Sequence, residues 1–72
     1  MKVTEFNDVK ERDLCAVQYK DRRNIRVEIG HFLNYNHHRN ILYLTKPQTL
    51  IGVPYKNILK FHKYTLQELR EL

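Results

Sequence analysis

Seventy-two residues carrying 13 Lys plus Arg against 8 Asp plus Glu, for a formal charge of +5, describe one small basic domain. A chain of this size buries only about 60% of the surface it exposes when unfolded, leaving room for one core and none for a deep catalytic cleft. No window approaches the ~18 consecutive apolar residues of a membrane span, so no membrane association is expected.

The charge balance favours acidic partners, namely nucleic acid, an anionic surface or an acidic protein, and equally suits a plain soluble domain. One cysteine, Cys15, sits between Leu14 and Ala16. It excludes a disulfide framework and reads as a buried thiol in a reducing compartment. Residues 1–13 lack the apolar core of a signal peptide, and the expected location is cytoplasmic.

In residues 1–13, Val3, Phe6 and Val9 recur every third position. That spacing fits one or two helical turns over an open end of the core, or a loosely attached arm, and both readings stay open. Residues 14–19 read as a strand with Cys15, Val17 and Tyr19 on one face, and Leu14, Ala16 and Gln18 on the other. Residues 20–24 form a hairpin loop in which Asn24 is expected to take the left-handed conformation.

The second strand begins at Ile25, and Ile25, Val27 and Ile29 alternate with Arg26, Glu28 and Gly30. That period of two assigns the three aliphatic residues, with Ile41, to the core. The alternation breaks at Gly30-His31-Phe32-Leu33, which predicts a bulge or sharp bend at Gly30.

An Asn/His-rich turn over residues 34–40 precedes a third strand over 41–45. Lys46-Pro47-Gln48 turns the chain into a fourth over 49–53. Residues 54–57 read as a 3₁₀ turn, and residues 58–61 as the last strand. With only two glycines and two prolines, Asn24, Asn34, Asn36, Asn40 and Asn57 mark the boundaries instead. Thr65 followed by Glu68 is a capping box, predicting a helix over 65–72 with Leu66, Leu69 and Leu72 on one face. So short a helix is unstable alone and is expected to dock, on the barrel or on a partner.

These elements describe a mainly β fold: a small five-stranded SH3-like or Sm-like barrel with a short C-terminal helix, one domain over 1–72. The pieces VQYKD, VEIGHFLNYN, RNILYL and GVPYKNILKF, within residues 17–61, resemble the barrel part of the YolD-like proteins of bacteria and their phages. Those proteins carry an I-x-Y strand, a glycine in the second strand and a closing I-P-F-x-D-I-L-x-I segment. The chain departs from them in lacking a longer N-terminal helical region and in having Asn57 at an acidic position. The ligand-binding WYL domains share the barrel pattern but are longer. The resemblance implies a small accessory protein linked to DNA damage tolerance, with no catalytic residues to transfer.

The residue types point the same way. His31, His37, His38 and Cys15 lack the paired-ligand spacing of a structural zinc site, so no metal or other cofactor is expected. With no serine, a buried Cys15 and no glycine-rich phosphate loop, the chain is not expected to be an enzyme.

Lys20, Arg22, Arg23 and Arg26 cluster at the first hairpin, and Tyr35, His37, His38 and Arg39 at the second. Cations neutralise phosphates, and exposed tyrosine or histidine stacks on unpaired bases, so these eight residues are the candidate nucleic-acid contacts. The same residues also suit solvated turns. The alternative is a protein-interaction or phage-encoded regulatory module using Tyr43, Tyr55, Phe61, Tyr64, Leu66 and Leu69, with a homodimer among its forms.

Overall fold

The computed structural model describes residues 3–71. Strands β1 (Leu14–Asp21), β2 (Asn24–Asn36), β3 (Ile41–Lys46), β4 (Thr49–Pro54) and β5 (Ile58–Lys63) form one sheet in the order β4-β3-β2-β1-β5. Every pairing in it is antiparallel. A 3₁₀ turn, Tyr55–Asn57, links β4 to β5, and helix α1 (Leu66–Arg70) ends the described chain. The mainly β class, the five strands and the C-terminal helix are as expected. The edge strands β4 and β5 do not pair, so the sheet is open.

β2 organises the sheet by changing neighbours. It pairs with β1 from Asn24 to His31 and with β3 from His31 to Asn36. Gly30 is buried at this switch, and a Cβ there would stand 2.8 Å from the backbone oxygen of Thr45. Glycine is therefore needed for the close approach of β3. The register irregularity lies elsewhere, between Phe32 and Asn34. The extra residue, Leu33, lets both Phe32 and Tyr35 face inward opposite Leu44 and Leu42.

The expected alternation in the first half of β2 is present, but its faces are inverted. Cys15 and Val17 are fully buried, and their partners across the ladder are Gly30 and Glu28. Partners share a face, so Ile25, Val27 and Ile29, opposite Lys20, Gln18 and Ala16, point outward. They are 60%, 59% and 50% exposed. Ile41 is also outside the core, half-buried beside Tyr43 over Gly52.

The core consists of Phe6, Cys15, Val17, Phe32, Tyr35, Leu42, Leu44 and Val53. Three aromatic rings, one from the N-terminal arm, fill the space on the inner face, and none is left for the aliphatic row of β2. The arm itself contains turns rather than a helix. Asn7 N–H donates to Thr4 O, and Val9 N–H to Phe6 O. Val3 and Val9 pack beside the buried Phe6. Arg12, at φ 79°, donates its N–H to Phe32 O, which ties the arm to β2.

The left-handed residue of the first hairpin is Arg22, at φ 59°, rather than Asn24. Asn24 instead pairs with Asp21, leaving a two-residue turn, and a positive φ at its first central position is the signature of a hairpin turn. The capping box forms as expected: Thr65 Oγ1 accepts from Glu68 N–H at 3.1 Å, and Glu68 Oε1 accepts from Thr65 N–H at 2.9 Å. The apolar face of α1 does not dock, however, and Leu66 remains 75% exposed. A polar contact, His62 Nε2 to Glu68 Oε2 at 2.8 Å, holds the helix against β5. Leu72 lies outside the described residues.

Candidate nucleic-acid interface

The 3₁₀ turn stands between the two basic loops, although these lie at opposite ends of β2. Ile58, which follows it, pairs with Tyr19 close to the end of β1 that feeds the Arg22–Arg23 turn. At its other side Tyr55 N–H donates to Asn40 O at 2.8 Å, fixing it to the β2–β3 turn. Lys56 therefore adds a cation between the loops. Arg39, Asn40, Tyr55 and Lys56 line a cleft with residues 3–5 of the arm, and Lys60 lies beyond it beside Tyr55 and Phe61.

Asparagine chemistry shapes the β2–β3 turn. Asn36 Oδ1 accepts from the N–H groups of His38, at 2.9 Å, and Arg39, at 3.0 Å. Asn40 adopts φ 55°, and its Oδ1 accepts from the Tyr35 hydroxyl at 3.2 Å. This is a side-chain-closed turn of the kind asparagine favours. It leaves His37, His38 and Arg39 exposed.

Three ion pairs occur among the described residues, Arg26 with Asp21, Lys46 with Glu28 and Lys63 with Asp13, beside the His62–Glu68 contact. Arg26 is thus engaged within its own hairpin. Lys20, Arg22, Arg23, Arg39, Lys56 and Lys60 are exposed and have no acidic partner at ion-pair distance among the described residues. Lys56 and Lys60 were not singled out in the sequence. The Pro54-to-Asn57 turn was legible, but its position between the loops follows from the pairing of β5 with β1.

The aromatic residues divide differently from the expected sets. Tyr35 is buried rather than exposed, its ring stacked on Phe6 at a centroid distance of 4.8 Å, and cannot stack on a base. Burial, with a smaller effect of Glu5, raises its phenol pKa. Tyr55 meets both rings edge-on, and its hydroxyl donates to Glu5 Oε1, which raises its pKa in turn. Phe61 packs edge-on against Phe6 at 4.9 Å, so it belongs to this aromatic cluster and not to a free surface. Tyr64 packs edge-on against His62, and Tyr43 is half-buried. Leu66 and Leu69 are the members of the protein-interaction set that stay exposed.

His31 and Cys15 occupy opposite faces of the sheet, and His37 and His38 lie at the distant β2–β3 turn. Burial pushes the Cys15 thiol up to about 11, with the Asp13 carboxylate adding to the shift. The thiol is therefore neutral at physiological pH and a poor nucleophile. No helix among the described residues is long and apolar enough to cross a membrane. The chain matches no protein-family model, and no curated protein and no solved structure is significantly similar to it.

Proposed function

We propose that this protein is a non-enzymatic binding module that contacts the phosphate backbone of nucleic acid. The observation that carries this reading is a set of exposed cations with no acidic partner among the described residues: Arg22, Arg23 and Arg39 on the two loops, Lys56 on the 3₁₀ turn, and Lys20 and Lys60 on the adjoining strands β1 and β5. Unpaired, solvated cations bring counterion release without first breaking an internal ion pair. With Tyr35 buried, His37 and His38 are the side chains left for base stacking, so recognition is mainly electrostatic and largely independent of sequence.

The strand order and the 3₁₀ turn before β5 support an SH3-like or Sm-like small barrel as the parent architecture. The YolD-like resemblance adds an accessory role beside nucleic-acid-processing proteins.

Titration of a fluorescent oligonucleotide at two salt concentrations tests the reading. Affinity falls steeply with salt, and joint replacement of Arg22, Arg23 and Arg39 by Ala removes most of it. Absence of binding at low salt refutes the proposal.

A second reading rests on the undocked face of α1. The exposed Leu66 and Leu69 suit packing against an apolar protein partner. Such binding is insensitive to salt and is lost in Leu66→Glu.

A further inference from the structure

The outward row of β2 coincides with an unpaired backbone edge. In an antiparallel ladder, successive residues turn their N–H and C=O groups alternately to one neighbour and then the other. Phe32 N–H donates to Asp13 O, on the β1 side. By the continuous register, Arg26, Glu28 and Gly30 also address β1, while Ile25, Val27 and Ile29 address the other side. β3 pairs with that side only from His31 onward. Among the described residues, no strand pairs with the stretch from Ile25 to Ile29 along this edge.

The stretch Ile25-Arg26-Val27-Glu28-Ile29 is also a chemical palindrome: apolar, basic, apolar, acidic, apolar. We propose that β2 of a second copy pairs antiparallel with this edge about a two-fold axis at Val27, forming a homodimer. Val27 then opposes Val27 of the second copy, and Ile25 opposes Ile29. The residues in these pairs are the ones whose backbone groups face the open edge, so they exchange ladder hydrogen bonds. On the opposite face Arg26 opposes Glu28 of the second copy, and each opposite-charge pair occurs twice by symmetry.

Edge strands usually deter such pairing with a proline, a bulge or inward-pointing charges. Between Ile25 and Ile29 this edge has neither of the first two, and it carries the inward charges Arg26 and Glu28. Their opposite signs attract in the two-fold register. Both already make a contact at home, Arg26 to Asp21 at 2.8 Å and Glu28 to Lys46 at 2.6 Å, and the dimer extends these pairs into one network. The three aliphatic side chains left outside the core join their symmetry mates in a continuous strip. Lys20 stands opposite Ile25 on this face, and Leu66 and Leu69 line a groove with His31 of the same row, but the ladder forms along a backbone edge that neither the cations nor α1 occupies, so amide exchange reads the dimer apart from nucleic-acid binding.

Sedimentation equilibrium over a concentration series, combined with amide hydrogen exchange, tests the proposal on the unmodified chain. The expected result is a species of twice 8.8 kDa, with exchange at the Ile25, Val27 and Ile29 amides slowing as concentration rises. Val27→Lys places two ammonium groups at the axis and weakens association by roughly 100-fold. Its strand spectrum is unchanged, because Val27 is exposed. A monomer at every concentration overturns the proposal. So does a dimer in which those three amides exchange freely, or one that a folded Val27→Lys variant retains. If Val27→Lys does not fold, the exchange result on the unmodified chain decides.

Discussion

The ring of Phe6 lies on the ring of Tyr35 at 4.8 Å and 25° between planes, joining the N-terminal arm to the far half of β2. Phe61 and Tyr55 close over Phe6 edge-on, at 4.9 and 6.2 Å. An arm without regular structure thus supplies one of the eight buried residues of the core. Phe6→Ala removes the central ring of this cluster and costs about 3–5 kcal/mol. That is a large fraction of the net stability of a domain this small, about 4–11 kcal/mol at about 0.05–0.15 kcal/mol per residue. Urea denaturation followed by tyrosine fluorescence measures the loss. A shift of less than ~1 kcal/mol, the usual scale of a surface substitution or a modest contact, shows that the arm is dispensable.

Gly30→Ala brings a Cβ to 2.8 Å from Thr45 O, a backbone atom that can retreat only if β3 moves. The expected cost is about 1–3 kcal/mol, with the disturbance confined to the pairing of β2 with β3. Denaturation midpoints give the first quantity, and hydrogen exchange at residues 42–45 gives the second.

The alkaline limb of stability depends on Cys15. An unfolded thiol ionises near ~8.5, and the folded one is held up to about 11. The folded state therefore binds the proton more tightly. This contribution is complete below the unfolded pKa and is lost as pH rises through the folded one, on the order of 3 kcal/mol in all. Tyr19, Tyr35 and Tyr55, whose phenols are also raised, act in the same direction at higher pH. Cys15→Ala keeps the tyrosine part and loses the thiol's share of the decline, which runs from about pH 8.5 up to about 11. Stability measured against pH for the two proteins isolates the thiol; parallel curves contradict the assignment.

Helix α1 depends on its cap rather than on burial. The Glu68 carboxylate is held below its ordinary range, first by Thr65 N–H and then by His62. Its contribution is present above the unfolded pKa of a glutamate, near ~4.3, and is lost as pH falls through the lower folded value. Residues 66–70 should fray on acidification before the sheet does, and Thr65→Ala should fray them at neutral pH at a cost of about 1 kcal/mol. Cα chemical shifts along the helix report both effects.

Local chemistry was readable where one residue type has one backbone use. The capping box of Thr65 and Glu68 and the 3₁₀ turn after Pro54 follow from a few adjacent residues, whereas the left-handed positions fall at Arg22 and Asn40 and not at the expected Asn24. The face of β2 was not readable, because period two marks two faces without saying which is buried. That choice is made by partners distant in sequence: Val17 opposite Glu28, and Gly30 against β3. Tyr35 was misplaced for a related reason. Its position beside a polar turn suggested exposure, whereas the inserted Leu33 returns it to the inner face. The basic loops were visible as composition, but the part of Lys56 depends on β5 pairing with β1, a contact no local pattern encodes.

The most direct measurement of the central claim is a map of backbone amide shifts on adding a single-stranded oligonucleotide at low salt. Perturbations are expected at residues 20–23, 37–40 and 56, reversed by salt, with the Val27–Ile29 edge and α1 undisturbed. Perturbations concentrated on α1 or that edge, or none at any site, contradict it.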